Sequence, residues 1–334
     1  MSRVKKTLVL LLALCVFTPG WAQKKAQIKK ALADNVNFAG YVQVRWEGTL
    51  ADELSHSFGI RRAYLGAGGK VTDWLGYRVL LTFPGASVSL YDACIDITPV
   101  KFAGLRVGQF LTPFGFEKQH SSSVILFPER TYASGHPGYF PIMDRDIGAM
   151  LYGTGKFFDV KVGMFNGRGR NLADDNNAKD LVGNLNFKFR DLFHVGGSYT
   201  MGTRTPDDTL LSEWDFNRWG AEMTLTPLDL WFAAEFMGGA DDEVSLMTYY
   251  AEAGWTFKLD TRCLCGIQPA VRYESVDPDT DTDDDSESIL TGGINLHFLP
   301  KHKAKLALCY RMIMEETASV DNDQAIAQLQ VKFP

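Results

Sequence analysis

The sequence predicts an all-β chain: a transmembrane antiparallel β-barrel of sixteen strands with a long third loop folded inward. Three observations predict it. Apolar and polar residues alternate in segment after segment, short and long connections take turns between those segments, and the chain opens with an export leader. Within 180–190, Leu181, Gly183, Leu185, Phe187 and Phe189 are apolar or small, whereas Asn184, Asn186, Lys188 and Arg190 are polar. Near the end, Ala325, Ala327, Leu329, Val331 and Phe333 alternate in the same way with Gln328, Gln330 and Lys332. A period of two gives a strand one greasy face and one wet face. A single such strand would suit any half-buried sheet; its recurrence along nearly the whole chain is the mark of a membrane barrel.

Taken in order, the first element is the leader. Arg3, Lys5 and Lys6 precede an apolar stretch over 7–17, and Gly20 and Ala22 occupy the −3 and −1 positions before Gln23. That stretch is shorter than the roughly 20 residues a spanning helix needs. We therefore expect a signal peptide over 1–22, a short periplasmic segment over 23–37 and an outer-membrane barrel over 38–334. The exported chain has no other apolar run of helix-spanning length, so a membrane form must close its backbone hydrogen bonds between strands.

The expected strands run 38–47, 58–70, 75–83, 88–98, 105–111, 146–152, 158–166 and 180–190 in the first half. The second half gives 195–205, 215–225, 230–238, 245–259, 264–275, 288–298, 304–315 and 324–333. The count is even, as single-chain bacterial barrels require. Connections at 71–74, 99–104, 153–157, 191–194, 226–229, 260–263 and 299–303 are short. Alternating with them are longer polar ones, including 48–57, 167–179, 206–214, 276–287 and 316–323, although 84–86 and 239–244 are brief. Short turns at one rim and long loops at the other match periplasmic and external faces. Phe187, Phe189, Phe257, Phe298 and Phe333 should form an outward belt near the short turns, and Trp46, Phe83, Phe236 and Tyr249 one near the long loops.

In a barrel of this size the polar face lines an aqueous channel. That face carries Arg45, Arg62, Arg78, Arg106, Lys188, Arg190, Arg218, Lys258, Arg272, Lys305 and Arg311. Against these stand Glu47, Asp92, Asp96, Glu222, Glu235, Glu252, Glu274 and Glu315, which predicts a mixed lumen with a modest basic excess. Rings of Arg and Lys would favour anions. The connection over 112–145 is too long for a hairpin and holds apolar residues of its own: Phe114, Phe116, Val124, Ile125, Leu126, Phe127, Tyr139, Phe140 and Ile142. Tucked into the pore, it would narrow the passage and bring Lys118, Arg130 and Arg145 to the solute.

Arg61-Arg62 with Gly66 and Gly69, Leu105-Arg106-Val107-Gly108-Gln109-Phe110, Pro113-Phe114 and Glu117 resemble the phosphate-selective porin O/P family. Ser121-Ser122, Phe127, Glu129-Arg130 and Arg145-Asp146-Ile147-Gly148 continue the resemblance, which is specific over 58–150. It implies a sixteen-stranded trimeric channel in the outer membrane of a Gram-negative bacterium. It further implies a passage for phosphate or polyphosphate along arginine and lysine side chains, past an inward-folded third loop. The residues expected to form that pathway are Arg61, Arg62, Arg78, Arg106, Lys118, Arg130, Arg145, Lys188 and Arg190. Two departures stand out: the basic ladder is diluted by carboxylates, and the loop offers the single lysine Lys118. General diffusion of small solutes with an anion preference is the expected function.

Other classes fare worse. The formal net charge of −6 becomes −9 once the three basic leader residues are removed, which argues against a nucleic-acid partner. Four cysteines beyond the leader are too few for a disulfide scaffold, and Cys263 with Cys265 are too few for zinc, so neither metal nor cofactor is expected. There is no G-x-S-x-G elbow, H-E-x-x-H helix or phosphate-binding P-loop, so no enzyme is expected. The alternatives are a barrel acting as a receptor or adhesin, or one that modifies lipids. Expected partners are outer-membrane lipid and lipopolysaccharide, small anionic solutes and two further copies of the chain. The acidic run from Asp277 to Glu287 lacks the glycine of a calcium loop and reads as a solvated external loop.

Overall fold

The computed structural model describes residues 36–49, 55–83, 85, 87–135, 144–190, 192–205, 213–317 and 320–333. The expected leader over 1–22 and most of the segment over 23–37 lie outside the described residues, as do Tyr139, Phe140 and Ile142 of the long loop.

Sixteen strands follow one another as neighbours. They are β1 (Asn37–Thr49), β2 (Ser55–Thr72), β3 (Leu75–Thr82), β4 (Ser89–Val100), β5 (Ala103–Leu111), β6 (Arg145–Thr154), β7 (Phe158–Phe165) and β8 (Asp180–Phe189). Then come β9 (Phe193–Arg204), β10 (Trp214–Leu225), β11 (Leu230–Asp241), β12 (Val244–Trp255, resuming as Phe257–Lys258), β13 (Gly266–Asp277), β14 (Glu287–Leu299), β15 (Ala304–Glu315) and β16 (Gln324–Phe333). Every pairing is antiparallel, and β1 also pairs with β16, from Gly40 opposite Phe333 to Thr49 opposite Gln324. That last pairing closes the sheet and removes both edges. The expected strand ends agree to within three residues. β12 is interrupted at Thr256, whose amide donates to Asp229 O in continuation of the β11–β12 register.

Burial is inverted relative to a soluble sheet. Val42, Val44, Leu181, Leu185, Leu329 and Val331 are exposed, while Gln43, Gln330, Arg218 and Arg272 are at most 1% exposed. The apolar half of the alternation is therefore the outer surface, suited to lipid, and the polar half faces inward. No helix among the described residues is long and apolar enough to cross a membrane. Phe187, Phe189, Phe257, Phe298 and Phe333 are exposed, as the short-turn belt requires. Toward the long loops, Trp219, Phe236, Tyr249 and Tyr273 form a girdle across β10–β13, with ring centroids 5.3, 6.3 and 6.2 Å apart in sequence.

Two irregularities shape the interior. The β1–β2 register shifts after Gln43: Gln43 faces Arg62 and Val44 faces Ile60, which leaves Arg61 as an extra residue. The β3–β4 register shifts in the same way between Leu80 and Leu81, with Tyr91 as the extra residue. A regular strand sends neighbours to opposite faces. A bulge lifts that rule locally, so Arg61 with Arg62, and Tyr91 with Asp92, line one cavity.

Candidate functional site

The long third connection leaves β5 at Leu111 and turns at Gly115, whose φ of +69° is the left-handed region that glycine adopts without strain. An added Cβ there would lie 2.8 Å from Glu235 Oε1. The amides that follow meet side chains of the far wall. Gly115 N donates to Ser198 Oγ on β9 at 3.1 Å, while Phe116 N and Glu117 N donate to the two oxygens of Glu235 on β11 at 2.6 and 3.3 Å. Phe116 then packs with Ala233, Tyr250 and Trp231. Burying one phenylalanine is worth about 2–3 kcal/mol.

Farther along, the wall supplies donors to the loop's carbonyls one after another. Gln43 Nε2 donates to Ser122 O at 3.0 Å, Gln330 Nε2 to Ser123 O at 2.9 Å and Lys305 Nζ to Ile125 O at 2.8 Å. Asn295 Nδ2 reaches Leu126 O at 2.9 Å, Arg62 Nη1 reaches Pro128 O at 3.1 Å, and both Nη atoms of Arg272 reach Glu129 O at 3.1–3.2 Å. These donors come from six strands and all belong to the polar face. Each buried carbonyl without its donor would cost about 1–3 kcal/mol, so the segment is fixed by its backbone. Beneath it, Arg272 lies 3.5, 3.9 and 3.3 Å from Glu117, Glu252 and Glu274, with its guanidinium carbon 5.1 Å from the centre of the Phe127 ring.

Opposite this covered wall, a cavity of about 1070 Å³ remains between the loop and β1–β5 with parts of β15 and β16. Ten Arg and Lys side chains line it against four carboxylates, Glu47, Asp92, Glu129 and Asp144. Seven of the nine expected pathway residues are among them: Arg61, Arg62, Arg78, Arg106, Lys118, Arg130 and Arg145. Glu222, Glu235, Glu252 and Glu274, at most 4% exposed, do not line it. The carboxylates expected to dilute the basic ladder are thus largely withdrawn from the open space.

Most of the cations have partners. Arg78 and Arg145 share Asp92 at 2.8 and 2.7 Å, and Arg145 also meets Asp144 at 2.7 Å. Arg106 holds both oxygens of Asp96 at 2.8 and 3.1 Å. The guanidiniums of Arg145 and Arg170 lie 4.3 and 4.2 Å from the centre of the Tyr91 ring, and that ring continues a tyrosine row through Tyr64 to Tyr41. Arg61 is held by Glu129. Arg62 bonds Gln43 Oε1 and Pro128 O, and no described carboxylate forms an ion pair with it.

Two expected pathway groups in the loop act on the loop itself. Arg130 donates to Glu117 O, His120 O and Ser122 Oγ, pinning the turn between them. Lys118 Nζ donates to Ser134 O at 2.7 Å, and burial pushes its ammonium down from the ordinary value. Burial likewise lowers His120, whose Nδ1 lies 2.8 Å from Phe116 O, so it remains a neutral fastening of the loop.

Arg190 does not line this cavity. It stands after β8 with φ +54°, exposed, its guanidinium 5.6 Å from the centre of the Phe189 ring, and the left-handed residue ends the strand. Lys188 is bound to Asp159 at 2.7–2.9 Å, apart from the cavity. Alternation alone missed Glu129 as a clamp, the tyrosine row and the donors to the loop's carbonyls. The signal for the bulge was visible: two adjacent arginines cannot both face water across a regular strand.

A closed sixteen-strand barrel, apolar outside and cationic along its open interior, defines an outer-membrane channel of the porin type. Residues 37–217 match the family described as phosphate-selective porin O and P, just over half of the chain, and the chain belongs to that family. No curated protein sequence matches it. Among solved structures it is similar to Salmonella typhi OmpF in complex with daunomycin, with a TM-score of 0.67 at 13% identity, covering 90% of this chain and 98% of that one. An anion-selective porin from Comamonas acidovorans gives 0.63 at 14% identity over 89% and 99% of the two chains. In-vitro folded OmpT of Vibrio cholerae, in its trimer form, gives 0.61 at 11% identity over 90% and 100%. These likenesses establish the fold, and the family makes the chain an outer-membrane porin.

Proposed function

We propose that the cavity between the third loop and β1–β5 is the passage, and that it conducts small anions, phosphate among them, in preference to cations. The observation that carries this reading is the segregation of charge: ten cationic side chains against four carboxylates along the open space. Fixed charge of one sign in a narrow aqueous space raises the local concentration of the opposite ion. Arg61, Arg62, Arg78, Arg106 and Arg145 form the wall that an anion meets, and Lys118 and Arg130 hold the loop that sets the width. We assign no chemical step to the chain: it is a channel without catalysis. Three copies form the working assembly, as one structural neighbour's trimer supports, and the leader over 1–22 directs export. Lipid and lipopolysaccharide meet its outer face.

Reconstitution of the full chain into a planar bilayer under a potassium chloride gradient tests the reading. The expected reversal potential has the sign of anion preference, and added inorganic phosphate reduces the chloride current. A cation-selective reversal potential would overturn it.

A further inference from the structure

Two carboxylates of the loop line the cavity: Asp144 pairs with Arg145 and Arg170, and Glu129 sits on arginines of β1 and β2. Arg61 donates from Nε and Nη2 to the two oxygens of Glu129, each at 2.8 Å, and Arg45 Nη1 reaches Glu129 Oε1 as well. A two-point contact of this kind is also what a guanidinium fork offers to phosphate or any other oxyanion. We propose that Glu129 is a built-in counter-anion: it occupies the oxyanion fork of Arg61 and Arg45 when no solute is present, and competes with each permeating oxyanion for it. The inference rests on the anion-passage reading above.

Several features support competition over a purely structural pair. Glu129 lines the cavity and its side chain is 16% exposed, so a solute can approach the same fork. Its backbone is held separately, by Arg272 at the carbonyl, so the carboxylate stays beside the fork even when displaced from it. Burial pushes the Glu129 carboxyl up, but the hydrogen bond and charge of Arg61, with Arg62 and Arg45 behind, bring it down to about 2, so it is charged at any working pH. The Arg61 bulge matters here, because it adds the second arginine to the same face. Without Glu129 the three arginines would keep only Glu47, on Arg45, as counter-charge and would hold an oxyanion tightly. A channel conducts only when binding is weak enough to release the ion. Glu129 supplies that weakening from within.

The test compares wild type, Glu129→Gln, Glu129→Asp and the double variant Arg61→Gln/Glu129→Gln in planar bilayers, with inorganic phosphate titrated against a chloride current. Freeing the fork in Glu129→Gln is expected to lower the half-blocking phosphate concentration about tenfold, the weight of one charge-assisted hydrogen bond. The maximal phosphate current should fall. Glu129→Asp, with its charge on a shorter arm, should lie between the two, and the double variant should lose the gain. An unchanged half-blocking concentration in Glu129→Gln overturns the inference. So does a rise in conductance for both ions with weaker anion preference, which is the behaviour of a loop clamp alone. If the wild type itself is cation-selective and phosphate does not block it, the anion passage falls too; if the wild type is blocked and Glu129→Gln is blocked identically, only the counter-anion falls.

Discussion

The two walls of this lumen are built from the same strand pattern and end up with opposite roles. On β9–β13 the inward face offers Glu222, Glu235, Glu252 and Glu274, and the third loop lies against it, its amides on Glu235 and its Glu117 on Arg272. On β1–β5 the inward face offers Arg45, Arg61, Arg62, Arg78 and Arg106, and the space in front of it stays open. The charge a solute meets is therefore set less by the composition of the strands than by which wall the loop covers. A carboxylate that accepts backbone amides is an anchor; the guanidiniums of the other wall face open space.

The covered wall gives the largest expected effect. Arg272→Met removes the cation shared by Glu117, Glu252 and Glu274, leaving only the longer Arg311 contact to Glu274 among the described residues, and removes the donor to Glu129 O. Stranding buried charges in this way costs about 3–5 kcal/mol. We expect the loop to release, single-channel conductance to rise, and the reversal potential to move toward cations as the hidden carboxylates reach water. Unaltered conductance would mean that Arg272 does not lock the loop. Gly115→Ala should act in the same direction more mildly, because its Cβ would press on Glu235.

On the open wall the effect should fall mainly on selectivity. Arg62 forms no ion pair with a described carboxylate, so Arg62→Gln removes the charge at the cost of its hydrogen bonds to Gln43 Oε1 and Pro128 O and leaves no carboxylate unpaired. The anion-to-cation permeability ratio should drop about fivefold, the weight of roughly 1 kcal/mol. Thermal unfolding should shift far less than in Arg272→Met. An equal loss of stability in both variants would erase the distinction between the walls.

Acid sharpens the comparison. The Glu129 carboxyl is brought from an ordinary 4.5 down to about 2, so its clamp on Arg61 stabilises the folded chain above about 4.5 and is lost as pH falls through about 2. The stability gap between wild type and Glu129→Gln, read by denaturant unfolding in detergent, should be flat from pH 7 to 4.5 and close toward pH 2. A gap that closed already by pH 5 would mean that the carboxyl is not held down.

The barrel itself was legible in the sequence, because lipid outside and water inside impose a period of two that no local preference disturbs. Strand ends, the alternation of turns and part of the aromatic girdle follow from it, although Phe83, expected on the outer face, lines the cavity. The site was legible only in part. Arg78 and Arg106 follow from alternation, and Arg61 was carried over only through the motif it shares with the family, since its facing depends on a bulge. What alternation cannot show is pairing across the lumen: Glu129 with Arg61 is a contact between residues 68 apart in sequence, and Lys305 with Ile125 one of 180. Such contacts depend on the path of an irregular loop. For the same reason alternation could not show that Arg130, which lines the cavity, also binds the carbonyls of its own turn.

The smallest expected effect falls where alternation and geometry disagree. Lys188 continues the polar face of β8, yet its ammonium is held by both oxygens of Asp159 and lies apart from the open cavity. An ion pair next to water contributes little, about 0–1 kcal/mol, and its net charge is near zero. Lys188→Gln should therefore change the permeability ratio less than Arg62→Gln does, by under about twofold. Asp159→Asn should be equally quiet, since it frees a cation far from the passage. If Lys188→Gln moved selectivity as much as Arg62→Gln, the passage would extend along β7 and β8, and the division of the lumen into one open and one closed wall would have to be redrawn.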